Sequence, residues 1–426
     1  MVQKEAPRLG ERWFEAILGN GLHIRVVPKP GFFRKYAFVA VNYGAIDTAF
    51  ALDGRTLRSP DGVAHYLEHK MFDLPDGNAD AQFAALGGST NAFTSFDMTA
   101  YYVSCTEHLE ENLRLLLKMV SVPYFTQERV DKERGIIAQE IQMYEDSPDS
   151  RLYEDLLAAM FPDHPVRVPI AGSVESIAAI TPETLSDCFR AFYTPANMIL
   201  CVVGDVNPER VIACAEAVLP KARRTVPARS YGGGAPPRMA QLHKRTMEVS
   251  MPAFALGFRT APPPHGRAGL RQEIVGDLAC ELLCGESSPL YRRLYEENRI
   301  DSGFGAGYEC FKEAALLSMT GDSRDPERVR DAILTECRRQ LSEGLDAAAF
   351  RRLKRSALGR RIRELDSFES VCIRTAENFF DHAEYCEFPE LYEAVTLEEV
   401  RTFLEETVCE ERMTLAVVEP KKGAEA

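Results

Sequence analysis

Hydrophobic and polar positions along the first hundred residues predict strands that are separated by turns and short helices. Residues 13–29 predict two strands around an Asn-Gly turn, and residues 37–43 predict a largely buried strand. Residues 89–105 carry β-branched and aromatic side chains at alternating positions, which is typical of a strand. This last stretch fits either plain sheet or a sheet edge that binds an extended peptide by strand addition.

Helical periodicity follows, and part of the pattern occurs twice. Residues 107–120 predict an amphipathic helix, and a second helix begins near Gln127. Residues 181–206 predict a helix, a turn and a buried strand, and residues 396–418 repeat this order. The matched pairs are Thr181 and Thr396, Glu183 and Glu398, Met198 and Met413, Leu200 and Leu415, Val202 and Val417, and Val203 and Val418. We therefore predict that the chain is a duplication.

Length and composition indicate two domains. A chain of 426 residues is too long for one ordinary core. The stretch around residues 222–240 is rich in glycine, proline and arginine, which is a linker composition. We predict a first domain over 1–221, a linker over 222–240 and a related second domain over 241–426.

Charge and cysteine usage narrow the class of protein. The formal net charge of −14 argues against binding to nucleic acid, which needs a basic surface. The chain shows no signal peptide and no run near the roughly 20 apolar residues of a membrane span. Its 11 scattered cysteines fit a reducing compartment. We expect a folded cytoplasmic protein without a membrane or nucleic-acid partner.

Candidate chemistry is concentrated in residues 61–73. On a helix, His65, Glu68 and His69 project from one face because they are spaced i, i+3 and i+4. Two imidazoles one turn apart can bind a metal ion, and a carboxylate beside them can take a proton from metal-bound water. The order is His-x-x-Glu-His, the inverse of the commoner zinc helix. The alternative interpretation is a solvated helix face with an ion pair.

The helix that begins near Gln127 offers a further ligand. Glu133 and Glu140 are nearly two turns apart, so their carboxylates point the same way. The spacing alone fits two solvated side chains. A zinc site with two histidines, however, needs a third protein ligand, and a glutamate from another helix is a common choice.

The first half resembles the insulinase/pitrilysin family of inverted zinc metallopeptidases, and most of all its short members of the mitochondrial processing peptidase type. Four collinear motifs carry the resemblance. They are the His65–Phe72 stretch, Gly88-Ser-Thr-Asn-Ala-Phe-Thr-Ser95, Glu133-Arg-Gly-Ile-Ile-Ala-Gln-Glu140, and Gly172-Ser-Val-Glu-Ser-Ile177 with Val203-Gly-Asp-Val206. The second half lacks the inverted motif, so one catalytic half and one structural half are expected.

The resemblance implies roles for the motif residues. It implies that His65, His69 and Glu140 are zinc ligands, that Glu68 is the general base, and that Glu133 is a supporting acid beside the site. The cofactor implied is Zn²⁺. Losing either histidine is expected to lose the metal.

The resemblance also implies a fold and a substrate strand. The implied fold is α+β, with two related domains that each have a mostly antiparallel sheet with helices packed on one side. In the family, two such pairs close like a clamshell around a chamber. Asn91, Ala92 and Phe93 are expected on a strand that holds the substrate peptide.

One departure from the family pattern concerns assembly. Active relatives carry, in the second half, an Arg and a Tyr seven residues apart that contact the substrate. At those positions this chain has Tyr295 and Ser302. A related subunit that supplies the missing pair is therefore expected, which makes a heterodimer the preferred assembly, with a homodimer as the alternative.

The expected function is a zinc-dependent endopeptidase that hydrolyses peptides or small unfolded protein segments, as the catalytic subunit of a two-subunit clamshell. Two alternatives stay open. The first is a non-catalytic, peptide-binding or partner subunit that keeps the scaffold. The second is an unrelated metal-dependent hydrolase that acts on a small molecule.

Overall fold

Strands dominate the first hundred residues, and helices and strands share the rest of the chain. The computed structural model describes residues 1–232 and 241–421. Its strands are Val2–Ala6 (β1), Glu11–Ile17 (β2), His23–Pro28 (β3), Lys35–Val41 (β4), Ala49–Leu52 (β5), Arg55–Arg58 (β6), Asp73–Leu74 (β7), Gly77–Asn78 (β8), Ser89–Thr94 (β9), Thr99–Cys105 (β10), Met198–Gly204 (β11), Gln241–Met247 (β12), Ala253–Thr260 (β13), Gly305–Phe311 (β14), Ala314–Asp322 (β15) and Met413–Pro420 (β16).

The α-helices are Val63–Lys70 (α1), Ala79–Ala85 (α2), Leu109–Met119 (α3), Gln127–Glu145 (α4), Pro148–Met160 (α5), Val174–Ala178 (α6), Pro182–Phe192 (α7), Pro208–Val218 (α8), Arg267–Cys284 (α9), Pro289–Glu296 (α10), Pro326–Glu343 (α11), Ala347–Glu364 (α12), Phe368–Phe380 (α13), Phe388–Ala394 (α14) and Leu397–Thr407 (α15). Within the described ranges, every helix is too short or too polar to cross the hydrocarbon core of a bilayer.

Residues 89–105 form a hairpin of β9 and β10, where the pattern predicts a single strand. The Ser95 hydroxyl accepts hydrogen bonds from the backbone N–H groups of Asp97 at 3.3 Å and Met98 at 3.1 Å. The Ser95 N–H in turn donates to the Met98 carbonyl at 2.8 Å. The turn contains no glycine or proline, so the alternating pattern runs through it without a break.

The described residues form two compact units, each with its own sheet. The first unit contains Met1–Ile141, Pro169–Tyr231 and Ile362–Cys386, and the second contains the remaining described residues. The predicted boundaries 1–221 and 241–426 refer to the two copies of the duplication and stay a prediction. The predicted linker 222–240 extends into residues 233–240, which lie outside the described residues.

The first unit is built on a seven-stranded sheet in the order β1-β2-β3-β11-β4-β10-β9. Neighbouring strands are antiparallel except for β3 with β11. The central strands β4 and β11 are buried along almost their whole length, which is why both are continuous apolar runs. On one face Val39, Leu200 and Tyr101 share a hydrophobic core with Leu67 of α1 and Leu116 of α3.

Helix α13 packs on β4 and β11 within the first unit. The Phe379 ring lies 4.4 Å from the ring of His23. Just after the helix, Glu384 accepts two hydrogen bonds from the Arg25 guanidinium at 2.9 and 2.6 Å, and Glu15 accepts a third at 2.6 Å. Only 12% of the Arg25 side chain is exposed, so these carboxylates compensate a largely buried charge.

The second unit is built on a five-stranded sheet in the order β12-β16-β13-β15-β14, in which only β12 and β16 are parallel. Helix α5 packs on β12, β13 and β16. The approach is close, since a Cβ atom at Gly257 of β13 would lie 2.4 Å from the Met160 sulfur. Arg245 of β12 binds Asp155 of α5 through two hydrogen bonds of 2.6 and 2.7 Å.

The two sheets are related. The strands β3-β11-β4-β10-β9 and β12-β16-β13-β15-β14 have the same order and the same directions, with one parallel pair each. Helices α5 and α13 are both preceded by an N-cap serine, Ser147 and Ser367. The side chain of each serine accepts a hydrogen bond from the backbone N–H three residues later. The predicted fold class, α+β with two related domains of mostly antiparallel sheet and packed helices, is confirmed.

Candidate functional site

Helix α1 carries the inverted motif, and its start depends on a glycine. Gly62 has a φ of 86°, and a Cβ atom there would lie 2.4 Å from the Ala171 carbonyl oxygen. A larger residue would be strained by its backbone and would also collide. From the first turn, Tyr66 donates a hydrogen bond to the Val130 carbonyl of α4. Helices α1 and α4 are thereby held side by side.

The two histidines of the motif and a glutamate of α4 meet between these helices. Glu140 Oε1 lies 3.5 Å from His65 Nε2, and Glu140 Oε2 lies 3.5 Å from His69 Nε2. One ligand atom from each of the three residues lies within 4.8 Å of the other two. The structure therefore brings together the three residues that the sequence predicts as metal ligands.

Glu133 lies about two turns before Glu140 on α4 and contacts the same group of side chains. Its Oε1 lies 3.1 Å from His69 Nδ1, and the hydrogen bond with His69 holds the pKa of Glu133 below its ordinary value. Burial lowers the pKa of His69, but the Glu133 hydrogen bond and the nearby carboxylates outweigh it and raise that pKa overall. When Nδ1 donates to Glu133, Nε2 keeps its lone pair on the side of Glu140.

This arrangement fits a zinc ion. Two imidazole nitrogens and one carboxylate are a ligand set of catalytic zinc sites, which keep a further position open. A carboxylate on the other nitrogen of a ligating histidine is the usual partner that fixes its orientation. His65, His69 and Glu140 are therefore residues that could hold a metal ion.

Glu68 lies on the same face of α1 as the two histidines, and only 8% of the residue is exposed. Burial raises the pKa of its carboxyl above the ordinary value, and a hydrogen bond from Thr94 opposes this. The Thr94 hydroxyl donates to Glu68 Oε2 at 2.6 Å. The carboxylate is thus fixed by β9 and lies next to the two histidines.

A cleft of about 700 Å³ opens beside the site, and β9 forms part of its wall. Glu68, His69 and Glu133 contribute to the lining, as does Asn91. Strand β9 is the outermost strand of the first sheet, paired with β10 on one side. The predicted substrate residues Asn91, Ala92 and Phe93 therefore lie on an edge strand that packs against α1. Their role in substrate binding stays a prediction.

The second unit contains Tyr295 and Ser302, the positions at which the family resemblance implies an Arg and a Tyr. Tyr295 lies near the end of α10 and is 51% exposed, and its ring stacks on Tyr291 at 6.0 Å. Ser302 lies in the exposed segment between α10 and β14. At the α12 position that answers to α4, residues 350–361 contain no acidic side chain.

Sequence reasoning missed the contacts of two residues beside the site, Thr94 and Lys70. Thr94 lies within a motif that the resemblance quotes, but nothing in the spacing connects it to Glu68. Lys70, directly after His69, is 1% exposed and pairs with Asp73 and Glu133. A lysine inside a helix is normally solvated, so its burial depends on the partners that only the fold brings to it.

These features define a class. The chain is a duplicated α+β protein in which helix α1 of one unit carries the His-x-x-Glu-His motif. Helix α4 adds Glu140, which completes a group of three side chains that could hold a metal ion. Two family models match it, "Insulinase (Peptidase family M16)" over residues 58–174 and "Peptidase M16 inactive domain" over residues 179–357. The second model falls largely on the part that lacks the inverted motif.

Relatives match over almost the whole chain. The "Uncharacterized zinc protease YmfH" of Bacillus subtilis is 35% identical and covers 98% of this chain and 99% of its own length. A solved putative M16-like peptidase from Alicyclobacillus acidocaldarius is 33% identical, with a TM-score of 0.91 and coverage of 96% and 99%. A protease from Helicobacter pylori at 20% identity shares the fold, with a TM-score of 0.82 and coverage of 96% and 100%. The chain belongs to the M16 (insulinase) peptidase family.

Proposed function

We propose that this chain is a zinc-dependent endopeptidase that hydrolyses peptides or small unfolded protein segments. The observation that carries the proposal is the convergence of His65, His69 and Glu140, next to the buried Glu68 and beside a cleft that Glu68 and His69 help to line. The name "zinc protease" of the 35% identical relative supports the same activity.

In the proposed reaction, His65, His69 and Glu140 bind the zinc ion. When bound, the ion supplies Lewis acidity, which lowers the pKa of water and polarises a peptide carbonyl. Glu133 holds His69 through Nδ1, so that Nε2 stays directed toward the ligand group. These contacts exist before any substrate arrives, which reduces the reorganisation that the reaction requires.

Glu68 is the proposed general base. Its Oε2 is occupied by the Thr94 hydroxyl, and we assign Oε1 to receive the proton of the attacking water. Burial raises the pKa of this carboxyl, which makes it a better acceptor for the proton of the water. The same proton can afterwards pass from Glu68 to the leaving amine. A base whose pKa lies nearer to neutrality is better suited to both transfers.

The proposed substrate is an extended peptide that pairs with β9. An outermost strand offers backbone N–H and C=O groups on its outer side, and these can bind another strand. Asn91, Ala92 and Phe93 would hold the peptide backbone next to Glu68. This geometry favours a peptide over a small molecule, which would not need a strand edge.

We further propose that a related subunit completes the active site as a heterodimer. The support is the replacement of the family's Arg and Tyr by Tyr295 and Ser302, which cannot supply a guanidinium and a phenol in the same order. A homodimer stays the alternative.

The location that we propose for the chain is the cytoplasm, because its scattered cysteines fit a reducing compartment. Cell fractionation followed by detection of the chain with an antibody would test this location.

The experiment is hydrolysis of a quenched peptide library by the purified chain, with Glu68→Gln as the matched variant and zinc measured on both. Cleavage that is lost in the variant while zinc is kept supports a peptidase that is active alone. Zinc without cleavage in the wild type, followed by cleavage when the partner subunit is added, supports the heterodimer. No cleavage under either condition would favour the alternative function, a non-catalytic peptide-binding subunit.

A further inference from the structure

Lys70 lies inside the first unit although it carries a charge. Its side chain is 1% exposed, and lysines are almost never buried to this degree unless the charge is paired. Its Nζ pairs with the Asp73 carboxylate, donates to the Arg129 carbonyl oxygen at 3.2 Å, and lies 3.6 Å from Glu133 Oε2. The ammonium group therefore connects the end of α1 with the first turns of α4.

The contact with Glu133 leads directly to the ligand group. Glu133 uses its two oxygens on different partners, with Oε1 at 3.1 Å from His69 Nδ1 and Oε2 at 3.6 Å from Lys70. On the other side of the ring, His69 Nε2 lies 3.5 Å from Glu140 Oε2. Lys70, Glu133, His69 and Glu140 thus follow one another in a single line of polar contacts.

A purely structural ion pair between Lys70 and Asp73 does not account for this geometry. Asp73 already has another cation, because Arg129 binds its second oxygen at 2.6 Å. The cation nearest to Glu133 Oε2 is Lys70, at 3.6 Å, and no other Lys or Arg in the described part of the chain forms an ion pair with Glu133. Removing the ammonium would leave Asp73 paired with Arg129. Glu133 would keep its hydrogen bond with His69 and lose the positive charge that lies 3.6 Å from its Oε2.

We propose that Lys70 is a positioning residue of the metal site. It holds the Glu133 carboxylate in the orientation that keeps His69 Nε2 directed toward Glu140. This inference rests on the proposed function, since it concerns the affinity of the same zinc site. Lys70 lies outside the ligand set of His65, His69 and Glu140, and its proposed effect on the metal passes through Glu133.

The test is a double-mutant cycle of zinc affinity, measured by chelator competition on the full chain with Lys70→Met, Glu133→Gln and the combined variant. Lys70→Met is expected to weaken zinc binding about tenfold or more, as the loss of outer contacts to zinc ligands typically does. In the Glu133→Gln background the same change is expected to cost less than about threefold, because its route is already broken. A merely structural lysine would lower stability and leave zinc affinity unchanged.

Two further variants keep the test decisive. Lys70→Gln retains a donor for Asp73 and loses the charge, so it is expected to fold even if Lys70→Met does not, and to show the same loss of zinc affinity. Lys118→Met removes a partly exposed lysine that pairs with Asp76 at 2.6 Å, and wild-type affinity is expected. Equal losses in both backgrounds, or wild-type affinity in Lys70→Gln, would overturn the inference alone. A wild-type chain that binds no zinc would overturn the proposed function and the inference with it.

Discussion

Replacing Thr94 by valine removes one hydrogen bond from the proposed general base and leaves the metal ligands intact. The Thr94 hydroxyl lies 2.6 Å from Glu68 Oε2, and only 8% of Glu68 is exposed. A hydrogen bond to a charged group contributes about 1.5–3 kcal/mol. Since about 1.4 kcal/mol corresponds to a factor of ten in rate, we expect kcat to fall about tenfold or more.

The same change should move the pH profile. The Thr94 hydrogen bond stabilises the ionised carboxylate and lowers the pKa of Glu68, so its loss raises that pKa further above the ordinary value. The acid limb of kcat/KM is then expected to move to higher pH than in the wild type. Below that limb the base is protonated and inactive, so the variant is expected to lose activity sooner than the wild type as the pH falls.

The assay is steady-state hydrolysis of one quenched peptide from pH 5 to 9, with zinc content measured on each protein. Thr94→Ser keeps the hydroxyl and serves as the control, with kcat expected within about threefold of wild type because the hydrogen bond is retained. Wild-type kcat and an unmoved acid limb in Thr94→Val would refute the positioning of Glu68 by β9.

Three other outcomes follow from the structure. Removal of zinc by a chelator should abolish hydrolysis, added zinc should restore it, and His65→Ala should not be restored because a ligand is missing. Arg25→Met removes the cation that Glu384 binds, while Glu15 keeps Lys4 at 2.7 Å, and it should lower the free energy of unfolding by about 1.5–3 kcal/mol in urea, with zinc content unchanged. Gly257→Ala forces a methyl group against Met160 and should cost about 1–3 kcal/mol in the same assay, where wild-type stability would contradict the close packing of α5.

The parts of the fold that local pattern specifies could be predicted from the sequence. Strand β11 and its repeat β16 are continuous apolar runs after a helix and a turn, and both occur where predicted. The site helix was predictable because the i, i+3 and i+4 spacing has one geometric meaning on a helix. The spacing of Glu133 and Glu140 alone fits two solvated side chains. Glu140 became a candidate ligand because a zinc site with two histidines needs a third protein ligand.

The rest depends on which elements meet in space. The periodicity of α13 indicates a helix with an apolar face, but nothing in it specifies that the face packs on β4 and β11, whose residues lie more than 160 positions earlier. The Ser95 turn was missed because side-chain hydrogen bonds close it without glycine or proline. Thr94 contacts Glu68, and Lys70 contacts Glu133 on another helix. No spacing pattern in the sequence indicates either contact.

The most direct test of the account is zinc K-edge X-ray absorption on the purified chain, together with the zinc-to-protein ratio. We predict one zinc ion per chain, bound by two imidazoles and by oxygen at about 2.0–2.2 Å, and loss of that zinc in Glu140→Ala. Sulfur neighbours at about 2.3 Å would instead place the metal on the chain's cysteines. Such a spectrum, or a chain that binds no zinc, would contradict the assignment of His65, His69 and Glu140 as the metal centre.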